Sequence, residues 1–260
     1  MVNRDEDQGS AAVKGIKRDF GSDTLVEWIR CDLGNLHEIK DVFTAIREKE
    51  DRLDLVSGHA ALTSTWFSLT LPQLVLSAGI NANKYNVDHD GIDQHFGVNW
   101  LGQFYATNLL YPLIRRTSKM PSTLAPRIIM ESSELHRLAP SATKFDSLDD
   151  INNPKLGPTQ LYGRSKLAMI LGVKYGLLER VMKPNADNIY AIAVHPGAVS
   201  EPVYLKATWS LCLARSLGEY RDSAAVERRL SRFDRKTVNE RIASDWPQSR
   251  ARRLHYPVRP

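Results

Sequence analysis

Short apolar runs alternate with amphipathic stretches from residue 1 to residue 199, and no other feature restricts the possible folds of this chain as much. "TLVEWIRCDL", "LVLSAGI", "RIIMESS" and "IYAIAVHPG" have strand length and are rich in β-branched and aromatic residues. Between and around them lie stretches with helical periodicity: "DEDQGSAAVKGIKRDFG", "GIDQHFGVNWLGQFYATNLLYPLIRR" and "LYGRSKLAMILGVKYGLLERVM". A further one, "GNLHEIKDVFTAIREKEDRL", places Leu36, Ile39, Val42, Phe43 and Ile46 on one face. Strands that are apolar along their whole length must be covered on both sides, so the pattern predicts an α/β fold with a doubly wound parallel sheet. In such a sheet ligands bind at the carboxyl ends of the strands, and candidate functional residues are sought there.

The alternation fails twice. The segment 56–73, "VSGHAALTSTWFSLTLPQ", has no Asp, Glu, Lys or Arg and divides what otherwise reads as one strand, "RLDLLVLSAG". It begins with Val-Ser, ends in Gln and can be removed without a frame change; Val-Ser recurs at 199 and 200, where the second break begins. Translation of unspliced message accounts for both breaks, and a decayed paralogue is the competing account. From residue 200 to 260 there are 11 Arg and 2 Lys against 7 acidic residues. That tail carries +6 of the net charge of +5, leaving residues 1–199 at −1. The tail is expected to be irregular, which gives a domain reading of 1–199 with an insertion at 56–73, followed by an Arg-rich tail at 200–260.

Composition removes several function classes. The basicity lacks aromatic interleaving, zinc spacing or a helix-turn-helix pattern, so no nucleic-acid partner is expected. No stretch approaches the roughly 20 apolar residues of a membrane span, and the start "MVNRDEDQGS" is charged, so neither a membrane span nor a secretory leader is expected. Cys31 and Cys212 match no metal spacing and form no disulfide framework. A reducing, cytoplasmic setting without a metal site is the expectation.

Four signals fall at strand ends. "SAG" at 77–79 closes one strand, Ser132 and Ser133 close the next, Tyr162 and Lys166 open the following helix, and "HPG" at 195–197 closes the last strand. Tyr162 and Lys166 are four apart, on one helical face, so phenol and ammonium can meet over one bound molecule. A free phenol with a pKa near 10 is a poor base at neutral pH, and lowering it by about 3 units takes roughly 4 kcal/mol of phenolate stabilisation. An ammonium one turn away helps supply it. A serine hydroxyl suits donation to an oxygen on which alkoxide charge develops. Each residue has a plainer reading: the serines as strand ends or caps, Asn99 as a helix kink or polar contact, His195 as a turn.

Taken together and in this order, Asn99, Ser133, Tyr162, Lys166 and "HPG" resemble the short-chain dehydrogenase/reductase family, with its Rossmann-like fold. "SSELHR" and "YGRSKL" are most like its retinol dehydrogenase and WW-domain oxidoreductase branch and fungal members of secondary metabolism. The resemblance implies hydride transfer between a nicotinamide cofactor and a ketone or secondary alcohol. It implies Tyr162 as general acid/base, Lys166 as the ribose-binding residue that lowers the tyrosine pKa, Ser133 as donor to the reacting oxygen and Asn99 in the proton relay. For the cofactor it implies Asp32 near the adenine, Ala78 and Gly79 at the ribose side, and Val199 at the nicotinamide carboxamide. Arg4 aligns with the basic residue that selects a 2′-phosphate, which implies NADP rather than NAD. The family dimerises through long helices, here 92–117 and 161–183, which implies a homodimer.

The family's first strand and its T-G-x-x-x-G-x-G turn have no counterpart, since no trio of the 15 glycines has that spacing. That turn and the helix start behind it hold the pyrophosphate. Two expectations follow: an NADP-dependent oxidoreductase that starts at the family's second strand, or a truncated, inactive remnant acting at most as a binding or dimerisation partner.

Overall fold

The structure is a computed structural model that describes residues 1–53, 55–57, 73–121 and 123–197. Val199, most of the segment 56–73 and all of 200–260 lie outside the described residues. Met1–Pro140 and Ile151–His195 form one compact unit, which contains every strand described. Residues 141–150 and 196–197 fall in a second unit, in which the Phe145 amide donates to the Asp150 carboxylate at 2.9 Å and the Asp150 amide to the Ser147 hydroxyl at 3.1 Å.

The expected parallel α/β architecture is present. Strands β1 (Val2–Asn3) and β2 (Ile29–Arg30) pair in parallel, as do β3 (Leu55–Ser57), β4 (Gln73–Leu76), β5 (Arg127–Glu131) and β6 (Tyr190–Val194), in the order β3-β4-β5-β6. The run "TLVEWIRCDL" forms a ladder only at Ile29–Arg30, because β1 offers it two residues to pair with. Asn3 compensates from the side, its Oδ1 accepting from Trp28 Nε1 at 2.7 Å. "RLDL" and "LVLSAG", which segment 56–73 divides, contribute to two neighbouring strands, β3 and β4, with Leu55 opposite Gln73. Val56, Ser57 and Gln73, at the ends of segment 56–73, take part in the sheet backbone. Fifteen residues, 58–72, separate the two strands, more than the roughly dozen a parallel crossover needs, so each apolar run is free to form its own ladder.

The helices start where local chemistry tells them to. Asp5 caps α1 (Glu6–Phe20), accepting from the Gln8 amide at 2.9 Å, with Glu6 and Asp7 in the first turn and Lys17 and Arg18 in the last. Asn35 caps α2 (Leu36–Lys49), which turns Ile39 and Phe43 inward. The long central helix comprises α3 (Gln94–Phe96), a π-helical stretch (Gly97–Gly102) and α4 (Gln103–Thr117). A short α5 (Leu148–Ile151) precedes α6 (Pro158–Leu171), a second π-helical stretch (Gly172–Met182) and α7 (Lys183–Asn185). Leu74, Ile128 and Met130 of the sheet, Leu110, Leu113 and Ile114 of α4, and Leu161 and Met169 of α6 are almost wholly buried and form the core. Cys31, just beyond β2, is buried too, and its thiol pKa is pushed up to about 12, mainly by that burial.

Candidate active site

Two carboxyl-terminal strand exits and two helix segments assemble the site. At the exit of β5 the ladder continues for one residue, the Ser132 amide donating to the Val194 carbonyl at 2.7 Å. The Ser132 side chain is buried and turns away from solvent, its Oγ donating to the Lys166 carbonyl at 3.0 Å. Ser133 is extended (φ −155°, ψ 153°) and caps a 3₁₀ turn, Glu134–Leu138, its Oγ accepting from the Leu135 amide at 3.2 Å. The Ser133 carbonyl can only accept, so His136 Nδ1, at 2.6 Å from it, carries the proton. Thus the two adjacent serines differ: Ser132 ties sheet to helix, whereas Ser133 is half-exposed at the mouth.

Helix α6 brings Tyr162 and Lys166 to this exit. Pro158 occupies its first turn, and the Gly157 amide donates to Gln160 Oε1 at 3.2 Å, which fixes where the helix begins. The 3₁₀ turn lies directly on Gly163: a Cβ there would overlap the Leu135 carbonyl and crowd the backbone of Leu138 and Ala139. Tyr162 is half-buried, and Lys166 is only 2% exposed. The Lys166 ammonium donates to the Glu131 carbonyl at 2.7 Å and lies 5.6 Å from the centre of the Tyr162 ring. Burial lowers its pKa to about 8, with the Glu131 carboxylate acting in the opposite direction. A compact cation is therefore held beside the phenol at the cost of desolvation.

The third wall comes from the π-helical stretch and the exit of β4. Asn99 is completely buried; its Oδ1 accepts from the Ile80 amide at 2.7 Å, and its Nδ2 donates to the Ile80 carbonyl at 2.9 Å and to Ser165 Oγ at 3.0 Å. One turn on, Gln103 Nε2 donates to the Ala78 carbonyl. Two amide side chains four residues apart thus grip the backbone of Ala78–Ile80. An ideal Cβ on Gly79 would lie 3.4 Å from Asn99 Oδ1 and 3.6 Å from Lys166 Nζ. Gly79 is exposed, so its backbone and the ammonium together offer donors and acceptors to a diol such as a ribose. Lys166 and the Gly79 backbone are the described residues that could hold the ribose of a dinucleotide cofactor. The pyrophosphate end has no glycine trio of the expected spacing in this sequence.

Tyr162, Lys166, Asn99, Ala78 and Gly79 are therefore brought together, with Ser133 at the same strand exit. Asp32 and Arg4 stand apart, beyond β2 and β1. The Asp32 carboxylate accepts from the Gly34 amide at 2.8 Å, and His89 Nε2 lies 4.0 Å from its other oxygen. Arg4 is exposed immediately after β1. A Cβ on Gly102 would overlap the Leu33 carbonyl, so the π-helical stretch that carries Asn99 also touches the Asp32 loop. Val199 lies outside the described residues. Sequence reading passed over Ser165 and Gln103; the available signals were the adjacency of Ser165 to Lys166 and the four-residue step from Asn99 to Gln103. Among the described residues no helix is long and apolar enough to cross a membrane, and no His, Cys, Asp and Glu group could hold a metal ion.

No family model matches the chain. Among curated proteins it is similar to bli-4 of Neurospora crassa, named as a mitochondrial oxidoreductase, at 31% identity over 204 residues, 77% of this chain and 45% of that one. It is similar to polyprenol dehydrogenase of Danio rerio at 31% identity over 208 residues, 78% of this chain and 55% of that one. The chain thus spans about half the length of the curated relatives it matches. In fold it is similar to the crystal structure of NADH-dependent reductase A1-R′ complexed with NAD, with 18% identity, a TM-score of 0.52, and 77% of this chain and 67% of that one covered.

Proposed function

We propose that the chain, which belongs to the short-chain dehydrogenase/reductase family, moves hydride between NADP(H) and a ketone or secondary alcohol. The observation that carries this reading is the buried Lys166 ammonium with a pKa near 8, held one helical turn from Tyr162 and facing the Gly79 backbone. When bound, the nicotinamide supplies the hydride acceptor or donor. Tyr162 holds and moves the proton at its phenol oxygen as general acid/base. Lys166 orients the ribose and favours the phenolate, Ser133 donates to the reacting oxygen, and Asn99 completes the relay. Asp32, Ala78, Gly79 and Val199 line the cofactor, and Arg4 is the choice for the 2′-phosphate, favouring NADP over NAD.

The catalytic unit in this reading is 1–199, with 56–73 inserted and 200–260 outside it. It acts in a reducing, cytoplasmic compartment on a small molecule, with no nucleic acid, in the manner of fungal secondary-metabolism members. A homodimer through the helices at 92–117 and 161–183 belongs to the same proposal; sedimentation of the purified chain as a monomer at micromolar concentration removes that part.

Fluorescence of NADPH titrated with the full chain tests the binding step, and steady-state reduction of ketones tests turnover. Bound NADPH should fluoresce more strongly, and Tyr162→Phe should lower turnover by about 10²–10⁴-fold with cofactor affinity unchanged. No enhancement at millimolar NADPH defeats the enzyme reading and leaves the chain as a binding or dimerisation partner.

A further inference from the structure

The polar contacts around Ser165 form a continuous path between the two halves of the site. Ser165 is wholly buried on α6, next to Lys166. Its hydroxyl donates to the Tyr162 carbonyl at 2.7 Å and accepts from Asn99 Nδ2 at 3.0 Å. Asn99 in turn has no freedom left. Both Nδ2 protons are used, one on the Ile80 carbonyl and one on Ser165, and Oδ1 is used by the Ile80 amide. Rotating the amide by half a turn would set its oxygen against the Ile80 carbonyl and its nitrogen against the Ile80 amide, so the orientation is fixed by its partners.

A serine that bonds back to the carbonyl three residues earlier is ordinary in helices. Here the same oxygen is also the acceptor for a side chain whose other contacts all go to the β4 exit loop. A shift of Ile80 therefore reaches the backbone of Tyr162 through two side chains and three hydrogen bonds. The loop also passes close to the lysine, since an ideal Cβ on Gly79 would lie 3.6 Å from Lys166 Nζ. On the opposite side of the helix turn, Ser132 holds the Lys166 carbonyl to β5 at 3.0 Å, so α6 is anchored to the sheet at one end of the pair and to the loop at the other.

We infer that Ser165 is a positioning residue that couples the Ala78–Ile80 loop to the placement of Tyr162 relative to Lys166. The inference rests on the proposed oxidoreductase reading for its catalytic consequence, but the coupling itself belongs to the free chain. With the hydroxyl removed, Asn99 loses its anchor on α6, so its hold on Ile80 loosens and the turn of that helix that carries Tyr162 moves independently of the loop.

Hydrogen exchange of the Ile80 amide, read in the full chain without any cofactor, tests this directly, with the Ile39 amide in α2 as the control for global stability. Ser165→Ala should lower Ile80 protection by about five- to tenfold, the size expected for one buried hydrogen bond, and leave Ile39 unchanged. The ultraviolet titration of Tyr162, obtained by difference from Tyr162→Phe, should shift its midpoint in Ser165→Ala by about half a unit or more. Unchanged Ile80 protection, an equal loss at Ile39, or an unmoved Tyr162 midpoint overturns the inference. NADPH fluorescence with the unaltered chain reports separately on the oxidoreductase reading, so a chain that binds no cofactor and still shows the Ile80 effect defeats that reading and keeps the coupling.

Discussion

The exit of β5 with α6 and the ends of β1 and β2 are both candidate contact regions for one ligand, yet they are built in opposite ways. At the first, five residues of β5 pair with five of β6, Lys166 is 2% exposed, and the side chains of Asn99, Ser132 and Ser165 are each committed to named partners. At the second, two strands of two residues each carry Arg4 in the open and Asp32 on a loop. In the proposed reading the first region transfers a proton, which needs a fixed distance between two side chains and is served by rigid buried polar contacts. The same reading asks the second region to discriminate a phosphate, for which a nearby cation such as an exposed guanidinium is enough.

Titration is the strongest test of that contrast. Lys166 has a folded pKa near 8 against about 10.5 unfolded, so between those values the unfolded chain holds more protons and stability rises with pH. The gain approaches about 3 kcal/mol by pH 10.5, and Lys166→Met should abolish it. Asp88, in the loop before α3, behaves with the opposite sign. Burial raises its pKa to about 6 from 3.8, so the folded chain holds more protons in that window and stability falls as pH rises from about 4 to 6. Urea unfolding across pH, with Asp88→Asn as the second variant, reads both slopes. A flat profile from pH 8 to 10.5 would remove the buried cation from the description of the β5–α6 region.

A smaller effect separates the two regions by packing. Gly163→Ala forces a methyl into the 3₁₀ turn and should destabilise by about 1–3 kcal/mol. Gly15→Ala in α1, where nothing lies within 4 Å of the new methyl, should stabilise by about 0.5–1 kcal/mol. Urea midpoints that move in opposite directions, further for Gly163→Ala, would sharpen the comparison; a neutral Gly163→Ala breaks it. The least effect is expected from Arg4→Ala, which should narrow the preference for NADPH over NADH by about tenfold or less, with the urea midpoint unmoved. Paired cofactor titrations at low and high salt measure it.

How much of this was legible in sequence follows from the range of the interaction that fixes each element. Helices α1 and α2 are set by residues within a turn of their starts, Asp5 and Asn35, and by apolar spacing, and both were readable. The side-by-side pairing of the two runs that flank segment 56–73 was not, because pairing is decided by which strand is opposite and not by composition. The same holds for the brief ladder at Ile29–Arg30. Helical geometry placed Tyr162 and Lys166 on one face, and the family resemblance singled them out as a candidate pair. Asn99 was found as a candidate, but its simultaneous grip on Ile80 and Ser165 spans 19 and 66 residues of chain and leaves no local signature. Ser132 and Ser133 look alike in the sequence, and only the direction of each side chain separates them.

Cys31 offers a use that follows from its setting beside β2. A buried thiol with a pKa near 12 is almost entirely protonated at neutral pH, and an alkylating reagent reacts with thiolate. Each modification therefore records one excursion in which that thiol met water. In a Cys212→Ala background the labelling rate of Cys31 becomes a stopwatch for the β1–β2 region, running on the protein's own atoms and needing no ligand, no dye and no turnover.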